Sequence, residues 1–374
     1  MTERPRIALA FSGDLRSTLA ISWLARTHDA EVVTITLDLG QGGELTDVRE
    51  RALAAGAVRA HVIDAREEFV REHVLPALHA GALLGLDGAT PRPAVLARPL
   101  VAKRVVDVAR MESASGAAAA ADLRPHLAAL APAMRTYPFG DLELQSTASL
   151  IEDARRAGID ARAPLGPLRT SSNLWARSVH GGDLDEVWSE PSAGVHAITR
   201  NPDDCPDEPA YLELEFDGGV PFRANGIEMP VLELIESLDI LGGAHGVGRL
   251  DLVEASGAGQ RRTIYEAPAA VLLATAHADL ERLVVPADLE RVKRSIATAY
   301  VAVLEDGRWF SPTREAMDAF VRTIQRRVTG SVRLKLFKGS CRVVGRTSPH
   351  ATLERPASIE PVRLDRPAAE GLIA

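Results

Sequence analysis

The chain has 374 residues, 46% of them hydrophobic and 25% charged, with a formal net charge of −8. This is the balance of a soluble globular protein of roughly two domains, and the acidic charge excludes general nucleic-acid binding, which relies on clustered basic surface. No apolar run approaches the roughly 20 residues that span a bilayer. Met1-Thr2-Glu3-Arg4 leads into the first strand with no signal core, so a cytoplasmic protein without a membrane partner is expected.

The first half alternates strand-like and helix-like stretches: strand Ile7–Phe11, helix Ser17–Arg26, strand Glu31–Leu37, helix Leu45–Ala55, strand Ala60–Ile63, helix Arg66–His79. Such a βαβαβ order predicts a parallel sheet with helices on both faces. Ligands of these sheets bind beyond the carboxyl ends of the strands, where the turn Ser12–Thr18 belongs. That turn, "FSGDLRST", reads as a phosphate loop between strand and helix, except that Asp14 and Arg16 stand where glycine and open amides are wanted. No lysine precedes Lys103 to serve it.

Residues 113–121, SASGAAAAA, are read as a loop in preference to an alanine-rich helix. A helix over Leu150–Ala157 ends at Gly158, and Pro164–Pro167 marks a domain boundary. Beyond it, Tyr211–Phe216 alternates as a half-exposed strand, Asn225-Gly226 signals a hairpin, and Val231–Leu238 is a helix. Ser311 reads as an N-cap with Pro312 at the first helical position. "SVRLKLFKGSCRVVG" is two strands joined at Lys338-Gly339, and the polar tail from Pro356 ends in the apolar "AAEGLIA", which is expected to dock on a neighbouring subunit. Cys205 and Cys341 lack metal spacing and are taken as reduced structural thiols.

The words "LDLGQGGE", "REEFVREHVLPALHAGAL", "ARPLVAK", "NLWARSVHGGDLDEVWSEP", "PDEPAYLELEF", "GGAHGVGRLDLVE", "WFSPTREAMDAFV" and "VTGSVRLKLFKGSCRVVGR" occur in one order along the chain. Together they resemble the argininosuccinate synthase family, whose members join citrulline to aspartate as ATP is cleaved to AMP and pyrophosphate. The resemblance implies an α/β, ATP-pyrophosphatase-like (adenine nucleotide alpha hydrolase-like) parallel-sheet domain over 1–165. It also implies an α+β synthetase domain over 166–355, a C-terminal arm over 356–374, and a homotetramer.

Against the family's loop S-G-G-L-D-[TS]-S the chain places Ser12, Gly13, Asp14, Leu15, Arg16, Ser17 and Thr18. Asp14 adds a Cβ and a negative charge where a phosphate approaches. Like charges at close range cost on the order of 1 to 4 kcal/mol, a roughly ten- to thousandfold loss of affinity. Arg16 is read first as an ion-pair partner of Asp14, and second as a receiver of some other anion at the helix start. The second signature, approximately H-G-x-T-G-K-G-N-D-Q-V-R-F-E, is replaced by "ESASGAAAAADLRPHLAALAP", which has no Lys, Asn or Gln and in which Arg124 stands for the motif's Arg.

In the citrulline pocket, Tyr-x-Leu-Gly-Thr-Ser becomes Thr90-Pro91-Arg92-Pro93-Ala94-Val95, a serine becomes Arg169, an aspartate becomes Ser171 and a later tyrosine becomes Ala274. Ser178 and Glu266 match family citrulline contacts, with a packing carboxylate as the equal alternative for Glu266. His245-Gly246-Val247-Gly248-Arg249 is read as structural, and Asp183, Asp185, Glu186 and Glu190 show no metal spacing. The histidines show no zinc or triad spacing.

The sequence reading is a family member that has lost ATP-dependent citrulline–aspartate ligation and serves another small-molecule reaction with an anionic substrate. Ser12, Gly13, Arg16 and Thr18 are its loop candidates, and Arg98, Arg124, Arg169, Ser178 and Glu266 its substrate-binding candidates. No catalytic residue, metal or cofactor is assigned, ATP and magnesium entering only if the ligase activity is retained. Two alternatives stand beside it: a non-catalytic partner subunit of an active synthase paralogue, and a functional argininosuccinate synthase.

Overall fold

The structure is a computed structural model that describes residues 4–43, 45–82, 93–143, 145–156, 158, 168–256 and 259–351. Thr90–Arg92, the boundary at Pro164–Pro167 and the tail from Pro356 lie outside the described residues.

The first half runs β1 (Arg6–Ala10), α1 (Leu15–His28), β2 (Glu31–Asp38), α2 (Leu45–Ala54), β3 (Arg59–Asp64), α3 (Arg66–Phe69), a π-helical turn (Val70–Val74) and α4 (Leu75–Ala80). It continues through α5 (Pro93–Met111), β4 (Gly116–Ala118), α6 (Arg124–Leu130), β5 (Arg135–Tyr137) and α7 (Thr147–Arg156). The strands pair in parallel in the order β3-β2-β1-β4-β5. Both faces are covered, as a parallel sheet requires, by α5 and α4 on one side and α1 and α7 on the other, and Ile7, Ala8 and Leu9 are buried.

Two expectations are corrected. The stretch 113–121 is not a loop, since Gly116–Ala118 is an inner strand between β1 and β5. Small residues are what this strand needs: a Cβ on Gly116 would stand 2.2 Å from the Arg135 carbonyl oxygen. The single helix expected over Arg66–His79 is interrupted, with Leu75 N–H reaching back five residues to the Val70 carbonyl. Pro76, which has no N–H to give and crowds the preceding turn, follows directly.

The second half runs β6 (Arg169–Ser172), β7 (Arg177–His180), β8 (Ala210–Asp217), β9 (Val220–Ala224), β10 (Ile227–Glu228), α8 (Val231–Ala244), β11 (Arg249–Ser256) and β12 (Gly259–Glu266). Then come α9 (Pro268–Val284), α10 (Ala287–Glu305), α11 (Pro312–Gln325), β13 (Gly330–Phe337) and β14 (Ser340–Thr347). Two antiparallel sheets result, β10-β9-β8-β13-β14 and β11-β12-β7-β6. Asn225 and Gly226 both take positive φ in the hairpin turn, and the Ser311 side chain accepts the Arg314 amide at the start of α11.

The second sheet is placed against the first domain by its β6–β7 turn. Leu174 N–H donates to the Leu39 carbonyl at 2.7 Å, and the Asn173 side-chain amide donates to the Pro93 carbonyl at 2.8 Å. The β6–β7 turn therefore sits at the carboxyl end of β2 and the start of α5, beside the cleft of the parallel sheet.

Candidate functional site

The turn after β1 keeps the shape of an anion loop. Gly13 has φ +78°, a left-handed conformation that glycine adopts without strain. Asp14 starts α1 as its N-cap, accepting the Ser17 amide at 2.7 Å, the role for which a short carboxylate is favoured. The helix consequently begins at Leu15, two residues before the sequence reading placed it. The hydroxyls of Ser17 and Thr18 both donate to the Asp14 carbonyl, at 3.1 and 2.7 Å, so Thr18 faces into the helix while Ser12 remains exposed at the mouth. The expected Asp14–Arg16 ion pair does not form. The Asp14 carboxylate is turned to the helix amide, and Arg16 extends the other way to the Gln145 carbonyl at 3.3 Å.

Ser12 opens on a cleft of about 670 Å³ walled by the 41–43 loop and by Asp47, Val48, Glu50 and Arg51 of α2. Arg51, in this lining, donates Nη1 to the Gly13 carbonyl at 3.1 Å. Nothing in the sequence singled Arg51 out, because on an amphipathic helix it reads as one more solvated arginine.

At the carboxyl side of β4, where the second signature belongs, the structure offers buried alanines and a closed ion pair. Ala117, Ala118 and Ala119 are buried, and Arg98 on α5 is held by Asp122 at 2.8 Å. The fold thus brings Arg98 to the Asp122-Leu123-Arg124 segment. His126, one turn further on, is pushed down to about 4 by burial and then by the Arg98 charge, so it stays neutral near pH 7.

The remaining candidates lie on the β11-β12-β7-β6 sheet, but not on one side of it. Cross-strand partners share a face, and the register pairs Arg169 with His180, Ser171 with Ser178, and Ser178 with Tyr265. Glu266 pairs with Arg177, one residue out of step, and so belongs to the opposite face. Arg169 and Ser178 are brought together; Glu266 is not brought to them.

Of the two readings of Glu266, ligand contact and packing carboxylate, the geometry favours the second. It is fully buried, and its oxygens accept Arg177 Nη1 at 2.6 Å, the amides of Ala197, Ile198 and Thr199 at 2.9 to 3.1 Å, and the Thr199 hydroxyl at 2.7 Å. Burial alone would raise its pKa, yet these donors outweigh it and hold the carboxyl below the ordinary carboxylate range. Arg249, last residue of the His245–Arg249 stretch, ties the same loop by donating to the Thr199 hydroxyl and carbonyl at 2.9 and 2.7 Å. Glu266 is the anchor of the 195–199 loop, its oxygens engaged by donors of the chain itself.

Among the described residues no group of three or more His, Cys, Asp or Glu is placed to hold a metal ion, and no helix is long and apolar enough to cross a membrane.

Comparison with known proteins follows the same division of the chain. Residues 6–122 match the family model described as Arginosuccinate synthase N-terminal HUP domain, and residues 169–374 match Arginosuccinate synthase C-terminal domain. The argininosuccinate synthase of Rubrobacter xylanophilus is 39% identical over 99% of this chain and 92% of its own length. Those of Chlorobium chlorochromatii and Synechococcus elongatus are 38% and 39% identical, over 99% and 100% of this chain and 96% of each relative. A solved NAD+ synthetase from Burkholderia pseudomallei is 20% identical, with a TM-score of 0.29 over 43% of this chain and 62% of its own. With both halves matched in order and the relatives aligned almost end to end, the chain belongs to the argininosuccinate synthase family.

Proposed function

We propose that the chain is a small-molecule ligase whose first activity to seek is the one its relatives are named for, the joining of citrulline and aspartate at the expense of ATP. One observation carries this reading: identity of 39% to an argininosuccinate synthase extends over 99% of the chain, through the half that lines the cleft and the half that follows it. The cleft itself lies at the carboxyl ends of β1 and β2, where doubly wound sheets take their ligands, and Ser178 of β7 pairs with Tyr265 of β12. ATP enters this proposal as a substrate, and magnesium of the kind it carries is held largely by phosphate oxygens. The homotetramer implied by the resemblance is part of the same proposal.

A second reading, in which the cleft serves a different anionic small molecule, is favoured by the floor beyond β4. Buried alanines and the Arg98–Asp122 pair stand where the family presents Lys, Asn and Gln side chains. Each polar contact missing from a buried site costs roughly 1 to 3 kcal/mol.

A pyrophosphate-release assay with magnesium, ATP, citrulline and aspartate separates the two. Turnover that requires all three substrates is the expected result of the first reading. No turnover, together with a thermal shift from another phosphate- or carboxylate-bearing metabolite, would replace it with the second.

A further inference from the structure

The cleft beside the 12–14 turn has one cation among its described lining residues, Arg51, and that cation is aimed at the turn. Its Nη1 donates to the Gly13 carbonyl at 3.1 Å, and its Nη2 stands 3.0 Å from where a Cβ on Gly13 would be. The guanidinium thus stands against the loop, half-buried in the lining of the 670 Å³ cleft, with its Nε donating to the Asp47 carbonyl of its own helix at 3.4 Å. The carboxylates of Asp47 and Glu50 also line the cleft, but both are exposed.

The group that ordinarily receives an anion at such a turn is the backbone of the following helix, whose first amides point at the ligand. Here one of those amides is already taken from within the chain, because Asp14 accepts the Ser17 amide at 2.7 Å. An incoming anion meets a resident carboxylate at the helix and a guanidinium across from it. Of the two, only the guanidinium offers attraction, and its planar pair of N–H groups matches two oxygens of a phosphate or carboxylate.

We propose that Arg51 is the anion-binding side chain of this cleft, standing in for the Ser17 amide that Asp14 occupies, and that Asp14 sets how much negative charge the bound group can carry. The proposal deepens the functional reading by naming the group that receives the substrate's anion, and it rests on that reading only for placing the substrate in this cleft.

Binding is measured by titration calorimetry on the full chain with inorganic pyrophosphate, succinate and adenosine as probes. Arg51→Gln is expected to weaken pyrophosphate by at least about tenfold, with Arg51→Lys recovering part of the loss, since a lysine restores charge but not the paired donors. Asp14→Asn keeps an N-cap acceptor while removing the charge, and is expected to tighten pyrophosphate by about tenfold. Succinate, with singly charged ends, should respond less to Asp14→Asn, and adenosine, which has no anion, should bind all variants alike.

The proposal is overturned if Arg51→Gln binds pyrophosphate within twofold of the native chain. It is overturned equally if adenosine weakens in parallel, which would show a damaged cleft, or if neither the native chain nor Asp14→Asn binds pyrophosphate or succinate at millimolar concentration. Failure of the ligase assay with these binding shifts intact would remove the ligase reading and leave Arg51 in place. Turnover with an indifferent Arg51 would do the reverse.

Discussion

The loops 12–18 and 195–199 both close on a carboxylate of their own chain, one on Asp14 and the other on Glu266. The bonds are alike, backbone amides donating to a carboxylate, but the surroundings are not. Asp14 is exposed and takes one amide. Glu266 is fully buried and takes three amides, a hydroxyl and the Arg177 guanidinium. Water or a ligand oxygen can stand in for Asp14, whereas the carboxylate of Glu266 is closed off from solvent in its cradle. Similar anion cradles therefore do different work, and burial decides which belongs to the frame and which can be traded for a substrate.

The largest expected effect tests the buried half of this pair. Glu266→Ala leaves Arg177 uncompensated and the 197–199 amides without an acceptor, and breaking a buried pair in this way costs about 3 to 5 kcal/mol. Denaturant unfolding reads it directly, and a loss below about 1 kcal/mol would show that the 195–199 loop closes without its carboxylate. The pH dependence has a fixed sign. Because the folded pKa of Glu266 is lowered, its stabilisation is complete above the ordinary value near 4.5 and is lost as pH falls through the folded value. The stability gap between the native chain and Glu266→Gln should accordingly narrow on acidification.

The parallel domain was legible in the sequence because its apolar strands and amphipathic helices alternate, and the cap at Ser311 and the turn at Asn225-Gly226 carry their own local chemistry. Strand β4 was not legible. A run of Gly and Ala has no period, and what makes it a strand is the space between β1 and β5, a property of its neighbours. At the candidate site the loop was legible in position but not in wiring. Asp14 reads as an intruder in a phosphate motif, while in the structure it is the N-cap that starts α1. A structural role for Glu266 stood in the sequence as one of two equal alternatives, but its partners did not: they are amides of residues 197 to 199, nearly 70 positions away, and amides leave no signature in a sequence. Arg51 escaped it because only the fold brings α2 over Gly13.

The exposed half of the comparison predicts smaller effects. Asp14→Ala removes an N-cap and should cost about 0.5 to 2 kcal/mol, with Asp14→Asn near neutral because asparagine caps as well as aspartate. Equal losses in both variants would mean that the charge of Asp14, and not its hydrogen bond, supports α1.

The smallest effect is the most informative about the loop. Arg16 is half-buried and donates to the Gln145 carbonyl at 3.3 Å, and loss of that one bond is expected to change stability by no more than about 1 kcal/mol. A double-mutant cycle on Asp14→Ala and Arg16→Ala should give a coupling within about 0.5 kcal/mol of zero, as for residues that do not interact. A coupling near 1 kcal/mol would restore the Asp14–Arg16 ion pair that the sequence suggests. Arg16 would then screen Asp14, an incoming phosphate would meet a neutral pair in place of a resident charge, and the contrast between the two carboxylates would rest on burial alone and no longer on what each leaves open to a ligand.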